Sequence, residues 1–142
     1  MARRFSVATA AQLASGEVPR GAAPNAAVAI LQRVMATLTV SGSTFTYDMR
    51  DATDIELVLS NSGAETLSFT NVGGLRTAQR GIIKVTQAPT TPGTLAYSGP
   101  GSVKWPGGSP HVITASINAI DLIEYFSDGT DIYLTLLGAN YS

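Results

Sequence analysis

The sequence predicts an all-β fold, an antiparallel β-sandwich or barrel-like domain over residues 36–142, preceded by an arm over residues 1–35. Three observations predict it. Apolar residues alternate with polar ones from Ala36 onward, the period of a half-buried strand. Turn residues break these runs at short intervals, at Ser41-Gly42-Ser43, Asn61-Ser62-Gly63, Pro92-Gly93, Gly99-Pro100-Gly101 and Asp128-Gly129. The 142 residues suffice for one domain with a real core.

Taken in order, residues 1–24 are rich in Ala, Gly and Pro, and Pro19, Gly21 and Pro24 interrupt any regular element. Asn25 can cap a short helix near 25–35, with Val28, Leu31 and Met35 at helical spacing. A short helix within the arm is therefore expected, with an extended arm as the rival because Val28, Ile30 and Val34 are β-branched. Leu38 and Val40 then alternate with threonines, and Thr44-Phe45-Thr46-Tyr47 resumes the pattern after a glycine turn. Ile55, Leu57 and Leu59 share one strand face, as do Leu67 and Phe69. Gly81–Thr86 is a strand with both faces partly apolar, and Thr94–Tyr97 is a short one. Ser102–Trp105 runs into the corner Pro106-Gly107-Gly108-Ser109-Pro110, where proline stiffens the chain and two glycines allow a tight bend. Val112–Thr114 reads as another short strand. Ala119–Phe126 and Asp131–Leu137 form a hairpin whose tip, Asp128-Gly129, predicts a type I′ turn with positive φ at both residues.

Composition narrows the function. Charged residues make up 13% of the chain, against roughly 25% in an average soluble domain. A surface so poor in charge resists self-association weakly, which favours a protein held in an assembly. The net charge of −1 argues against nucleic acid as a partner. Its distribution is uneven. Residues 1–44 hold Arg3, Arg4, Arg20 and Arg33 against Glu17 alone, a net +3. The remainder holds five cations against nine carboxylates, a net −4. A basic arm on an acidic body suits docking on an acidic protein surface, although four spread arginines also serve as a solvated tail. Without cysteine there is no disulfide, thiolate nucleophile or Cys-based metal site. No apolar run approaches the roughly 20 residues of a membrane span, and Ser6, Thr9 and Gln12 interrupt the one stretch resembling a secretory signal.

Catalytic and metal-binding chemistry finds little purchase. His111 is the single histidine, too few for a histidine metal cluster, and no Gly-x-Ser-x-Gly elbow accompanies it; a turn-adjacent surface or interface residue is expected. Asp48, Asp51 and Asp54 recur around Arg50 without the glycine and terminal glutamate of a calcium loop, so a solvated connection is expected. Asp128 is explained by turn geometry. Trp105 can stack on a sugar, and Tyr97, Tyr125, Tyr133 and Tyr141 can line a glycan groove. In a β module such aromatics more often anchor the fold or fill subunit seams. Arg76 and Arg80 sit on a Gly-rich connection followed by a strand rather than the helix a phosphate site would want. Together with Tyr125 and Tyr133 they are candidate intersubunit contacts. No cofactor is expected.

From Thr66-Leu67-Ser68-Phe69-Thr70-Asn71 through Gly81–Gln87, Val103-Lys104-Trp105-Pro106-Gly107-Gly108-Ser109-Pro110, Asp121-Leu122-Ile123 and Asp128-Gly129-Thr130-Asp131-Ile132-Tyr133, the chain resembles the small all-β structural proteins and fibre-terminal domains of tailed bacteriophages, notably those infecting cyanobacteria. The ordered set covers roughly residues 45–137. His111 and Glu124 depart from the family pattern, as does the shorter spacing before Pro110. The resemblance implies a non-enzymatic virion protein, commonly trimeric. The expected role is a capsid decoration (cement) protein on the particle surface, with Arg3, Arg4, Arg20 and Arg33 docking on the major capsid protein and no membrane or nucleic-acid partner. The alternative is the receptor-binding tip of a short tail fibre recognising host cell-surface glycan. A hydrolytic tailspike fragment would need a pair of carboxylates in a cleft, for which the sequence gives no sign.

Overall fold

The computed structural model describes residues 35–73 and 78–142. The arm, including Arg3, Arg4, Arg20 and Arg33, lies outside the described residues up to position 34, and so does Arg76. Met35, the last residue of the candidate helix, belongs to a strand.

The described chain is all-β in two sheets. The six-stranded sheet has the order β1 (Met35–Thr37), β4 (Asp54–Val58), β6 (Gln79–Thr86), β9 (Ile120–Ser127), β10 (Ile132–Tyr141) and β8 (Val103–Lys104). The four-stranded sheet has the order β2 (Val40–Ser41), β3 (Thr44–Asp48), β5 (Ala64–Thr70) and β7 (Thr94–Ser98).

The expected antiparallel arrangement holds only in part. The pairs β2–β3, β6–β9 and β9–β10 are antiparallel. The pairs β1–β4, β4–β6, β3–β5, β5–β7 and β8–β10 are parallel. The reason is the route of the chain. From β3 to β7 each successive strand changes sheet, so β5, β6 and β7 each land beside the strand their own sheet received last and run in the same direction, whereas β8 lands at the far edge beside β10. A parallel pair needs a crossover connection, and for β3–β5, β4–β6 and β5–β7 the crossover is a single strand of the other sheet.

Alternation decides which residues are buried. Phe45 and Tyr47 of β3, Ile55 and Leu57 of β4, Leu67 and Phe69 of β5, Ile83 and Val85 of β6, Ile123 and Tyr125 of β9, and Ile132 and Leu134 of β10 form one buried cluster drawn from both sheets. Tyr47 meets Phe69 and Tyr125 edge-on, with centroids 5.8 Å apart in each pair. Edge-to-face geometry sets the positive ring edge against the negative face and adds to simple area burial. The phenol oxygens at this end of the core are satisfied internally. Tyr47 donates to the Ala52 carbonyl at 2.6 Å, Tyr125 to the Thr53 carbonyl at 2.8 Å, and the buried Gln79 amide donates to the Tyr125 oxygen at 3.0 Å. Gly81 lies against the same group: a Cβ there would sit 1.6 Å from the Thr53 carbonyl oxygen and 2.6 Å from the Tyr125 ring. Only glycine lets β6 pass this close.

Two local expectations are corrected. Residues 112–114 form no strand. The Thr114 amide hydrogen-bonds the Asp121 carboxylate at 2.8 Å rather than a strand neighbour. The final hairpin exists, but its tip is no two-residue type I′ turn. Ser127 pairs with Ile132, leaving a loop over 128–131, and positive φ occurs at Gly129 (94°) and not at Asp128. Asp128 works through its side chain instead, accepting the Thr130 and Asp131 amides at 2.9 and 2.8 Å. Short polar side chains commonly cap their own turn in this way.

Candidate functional site

Two places on the described surface combine shape with chemistry. The first grows from the Trp105 corner. Gly107 has φ 72° and ψ 3°, and the Gly108 amide bonds the Trp105 carbonyl at 3.0 Å. That is a type II turn with proline second and glycine third, the residues this turn requires. The turn sets the half-buried Trp105 ring edge-on to Tyr97, 5.3 Å between centroids, and 6.5 Å from the His111 ring. A pocket of about 430 Å³ opens here, walled by Leu95, Tyr97, Trp105, Pro110, His111 and Ile113.

His111 Nε2 lies 3.0 Å from Oδ2 of Asp121, whose side chain is fully buried. Burial pushes the Asp121 carboxyl up, but the amides of Thr114 and Asn140 and the His111 ring bond its charged form and hold it below the ordinary value. An imidazole oriented by a buried carboxylate is half of a nucleophilic triad. The hydroxyls lining the pocket are those of Thr94 and Tyr97. The Tyr97 hydroxyl is buried with no hydrogen-bond partner, and burial, followed by the charge of Asp121, drives its pKa far above the ordinary value. It is thus a poor source of phenolate. What the geometry shows is a staple. Asp121 ties the 111–114 segment and the end of β10 at Asn140 to the middle of the six-stranded sheet. The expectation of a surface or interface histidine missed this partner, because ten residues and a corner separate the pair in sequence.

The second place is the outer face of the six-stranded sheet. Register puts Arg80 opposite Phe126, Phe126 opposite Tyr133, and Tyr133 opposite Lys104, so four strands contribute one transverse row. The Phe126 and Tyr133 rings are 6.1 Å apart at 35°, and both are exposed. Lys104 Nζ stands 5.3 Å from the Tyr133 ring centroid, a cation–π distance. Each cation also has a carboxylate: Arg80 pairs with Glu124, and Lys104 with Asp131. These contacts raise both cations' pKa values, through hydrogen bonds to Glu124 and Asp131 respectively. Tyr133 donates its hydroxyl to Asp128 Oδ2 at 3.1 Å. A shallow depression of about 430 Å³ lies over Arg80, Glu124, Phe126, Tyr133 and Thr135.

The candidate intersubunit residues therefore separate. Arg80 and Tyr133 share this exposed row. Tyr125 is fully buried in the core and cannot contact another chain, a correction that follows from its inward place on β9. Phe126 and Lys104, which sequence reasoning did not select, complete the row. Among the acidic triplet, Asp48 takes a fork of hydrogen bonds from Arg50 that holds its carboxyl well below the usual range, and Asp54 accepts the Ile82 amide at 2.8 Å. Among the described residues no three or more His, Cys, Asp or Glu side chains gather as metal ligands, and no helix is long and apolar enough to cross a membrane. Comparison with protein-family models, with curated proteins and with solved structures finds no match.

Proposed function

We propose that this chain is a non-enzymatic virion structural protein of a tailed bacteriophage, a homotrimeric capsid decoration (cement) protein. Its two sheets stack as a β-sandwich, and the arginines of its N-terminal arm meet acidic patches on the major capsid protein. One observation carries the assembly reading: beyond Tyr133, β10 has an open edge among the described residues. Strand β8 pairs with β10 only at Ile132 and Tyr133. From Leu134 to Tyr141 no described strand lies on that side. Leu136, Leu137 and Tyr141 are 36%, 50% and 51% exposed along it. A long edge with apolar side chains is a template for pairing with another chain, and natural monomers blunt such edges with charge or proline. No charged residue occurs between Thr135 and Ser142. The sparse charge of the chain and the ordered motifs around Trp105 support the same reading. The alternative, the receptor-binding tip of a short tail fibre, shares the trimer and differs in its place on the particle.

The test is occupancy on purified phage particles. Full-length protein with Arg3, Arg4, Arg20 and Arg33 all changed to Glu should remain folded and trimeric yet fail to bind protein-stripped shells. Undiminished occupancy of that variant, or binding to tails and not to shells, overturns the decoration reading.

A further inference from the structure

We infer that the Phe126–Tyr133 row on the outer face of the six-stranded sheet is a binding platform for neutral saccharide. Four observations carry it. Both rings are exposed, 43% for Phe126 and 37% for Tyr133, and adjacent in register, so their faces present one apolar surface on a rigid sheet. The C–H faces of pyranose rings pack on such surfaces, and a site on strands holds its geometry better than one on loops. A shallow, open depression lies over the rings, with Arg80, Glu124 and Thr135 at its margin.

The rim supplies what a sugar's hydroxyls need. Arg80 and Lys104 donate, while Glu124 and Asp131 accept, one couple on each side of the ring pair. A charged group with spare lone pairs or N–H groups can bond a hydroxyl without giving up its partner. Charge then selects the class of ligand. The two cations face three carboxylates, counting Asp128 beneath the Tyr133 hydroxyl, so the rim is net negative. An acidic polysaccharide would meet cations already neutralised and a surplus of like charge. Neutral hexose polymers meet neither penalty.

The platform lies on the outer face of the sheet, with Thr135 shared with the open edge of β10, and it holds for a shell protein and a fibre tip alike, so a protein that assembles without binding saccharide leaves the assembly reading standing. Full-length protein is titrated calorimetrically with neutral hexose oligomers (maltohexaose, cellohexaose, galactohexaose) and with oligogalacturonate. Saturable binding of at least one neutral oligomer, tighter than that of oligogalacturonate, is expected. Phe126→Ala should weaken it about five- to tenfold, the loss of one ring contact of roughly 1 kcal/mol. Phe126→Tyr, which keeps the face, should restore it. An unaltered circular dichroism spectrum and urea midpoint show that Phe126→Ala is folded. Absence of binding by the unmodified protein, preference for oligogalacturonate, or binding indifferent to Phe126→Ala overturns the inference. So does protection of the face by a second copy of the chain at all concentrations.

Discussion

The hydroxyl of Tyr47 lies 2.7 Å from the hydroxyl of Tyr125. One residue belongs to the four-stranded sheet and the other to the six-stranded sheet, so the two phenol oxygens meet across the core, each with one proton to divide between its carbonyl and the other hydroxyl. Around them the Ala52 and Thr53 carbonyls and the Gln79 amide complete a network in which each phenol finds partners. Tyr125→Phe leaves the packing nearly intact and strips hydrogen bonds from the Thr53 carbonyl and the Gln79 amide. A buried group deprived of its partner costs about 1–3 kcal/mol. Urea unfolding should show a loss of that size with an unchanged m-value. A midpoint equal to the parent's would mean that the network adds nothing to the fold.

Glycine is required at two kinds of place, and substitution should separate them. Gly81→Ala drives a methyl into the Thr53 carbonyl, which is backbone and cannot rotate away, and should cost about 3 kcal/mol or more. Gly107→Ala meets no atom within 4 Å but must hold φ 72°, a left-handed conformation costing an L-residue about 1 kcal/mol. Thermal denaturation of the two variants side by side checks the order. Equal losses, or a larger one at Gly107, would contradict the close packing of β6 on the Thr53 carbonyl.

Asp121 predicts the behaviour in acid. Its folded pKa is depressed, because bonds from Thr114, Asn140 and His111 outweigh its burial. A depressed carboxyl contributes stability above the unfolded value of about 3.9 and loses it as pH falls toward the folded value. Asp48, Glu56, Asp128 and Asp131 are shifted in the same direction. Stability should therefore be level near neutrality and decline below about pH 4. Asp121→Asn should lower the plateau and flatten part of the decline, read from urea midpoints between neutrality and pH 3. An unchanged acid slope in that variant would show that the carboxylate's charge contributes nothing.

Much of this fold was legible along the chain and little of it across the chain. Alternation marked Phe45 and Tyr47, Ile55 and Leu57, and Leu67 and Phe69 as inward pairs, because period two depends only on the strand itself. Which strand lies beside which depends on crossovers, so the parallel pairing of β3, β5 and β7 left no trace in the pattern. Val112–Thr114 looked like a strand because its composition is apolar, yet a carboxylate from β9 took the Thr114 amide. The hairpin tip was found but given the wrong turn, since Asp serves equally well by positive φ or by side-chain capping. Tyr133 and Arg80 are both sequence candidates for intersubunit contact. Their union with Phe126 and Lys104 needs the register of four strands. One signal was available: outward Glu124 and Phe126 on β9, carried across the hairpin, point to Tyr133.

The central claim is that the chain works as an assembled trimer joined along the open edge of β10, and the molar mass of the full-length protein in solution tests it most directly. Light scattering on the eluting peak should give three times the 14.7 kDa of one chain. Leu137→Arg, placing a charge on the exposed edge, should reduce that mass to one chain with the β-sheet spectrum preserved. A parent protein with the mass of a single chain at every concentration, or a trimer indifferent to Leu137→Arg, would contradict the account.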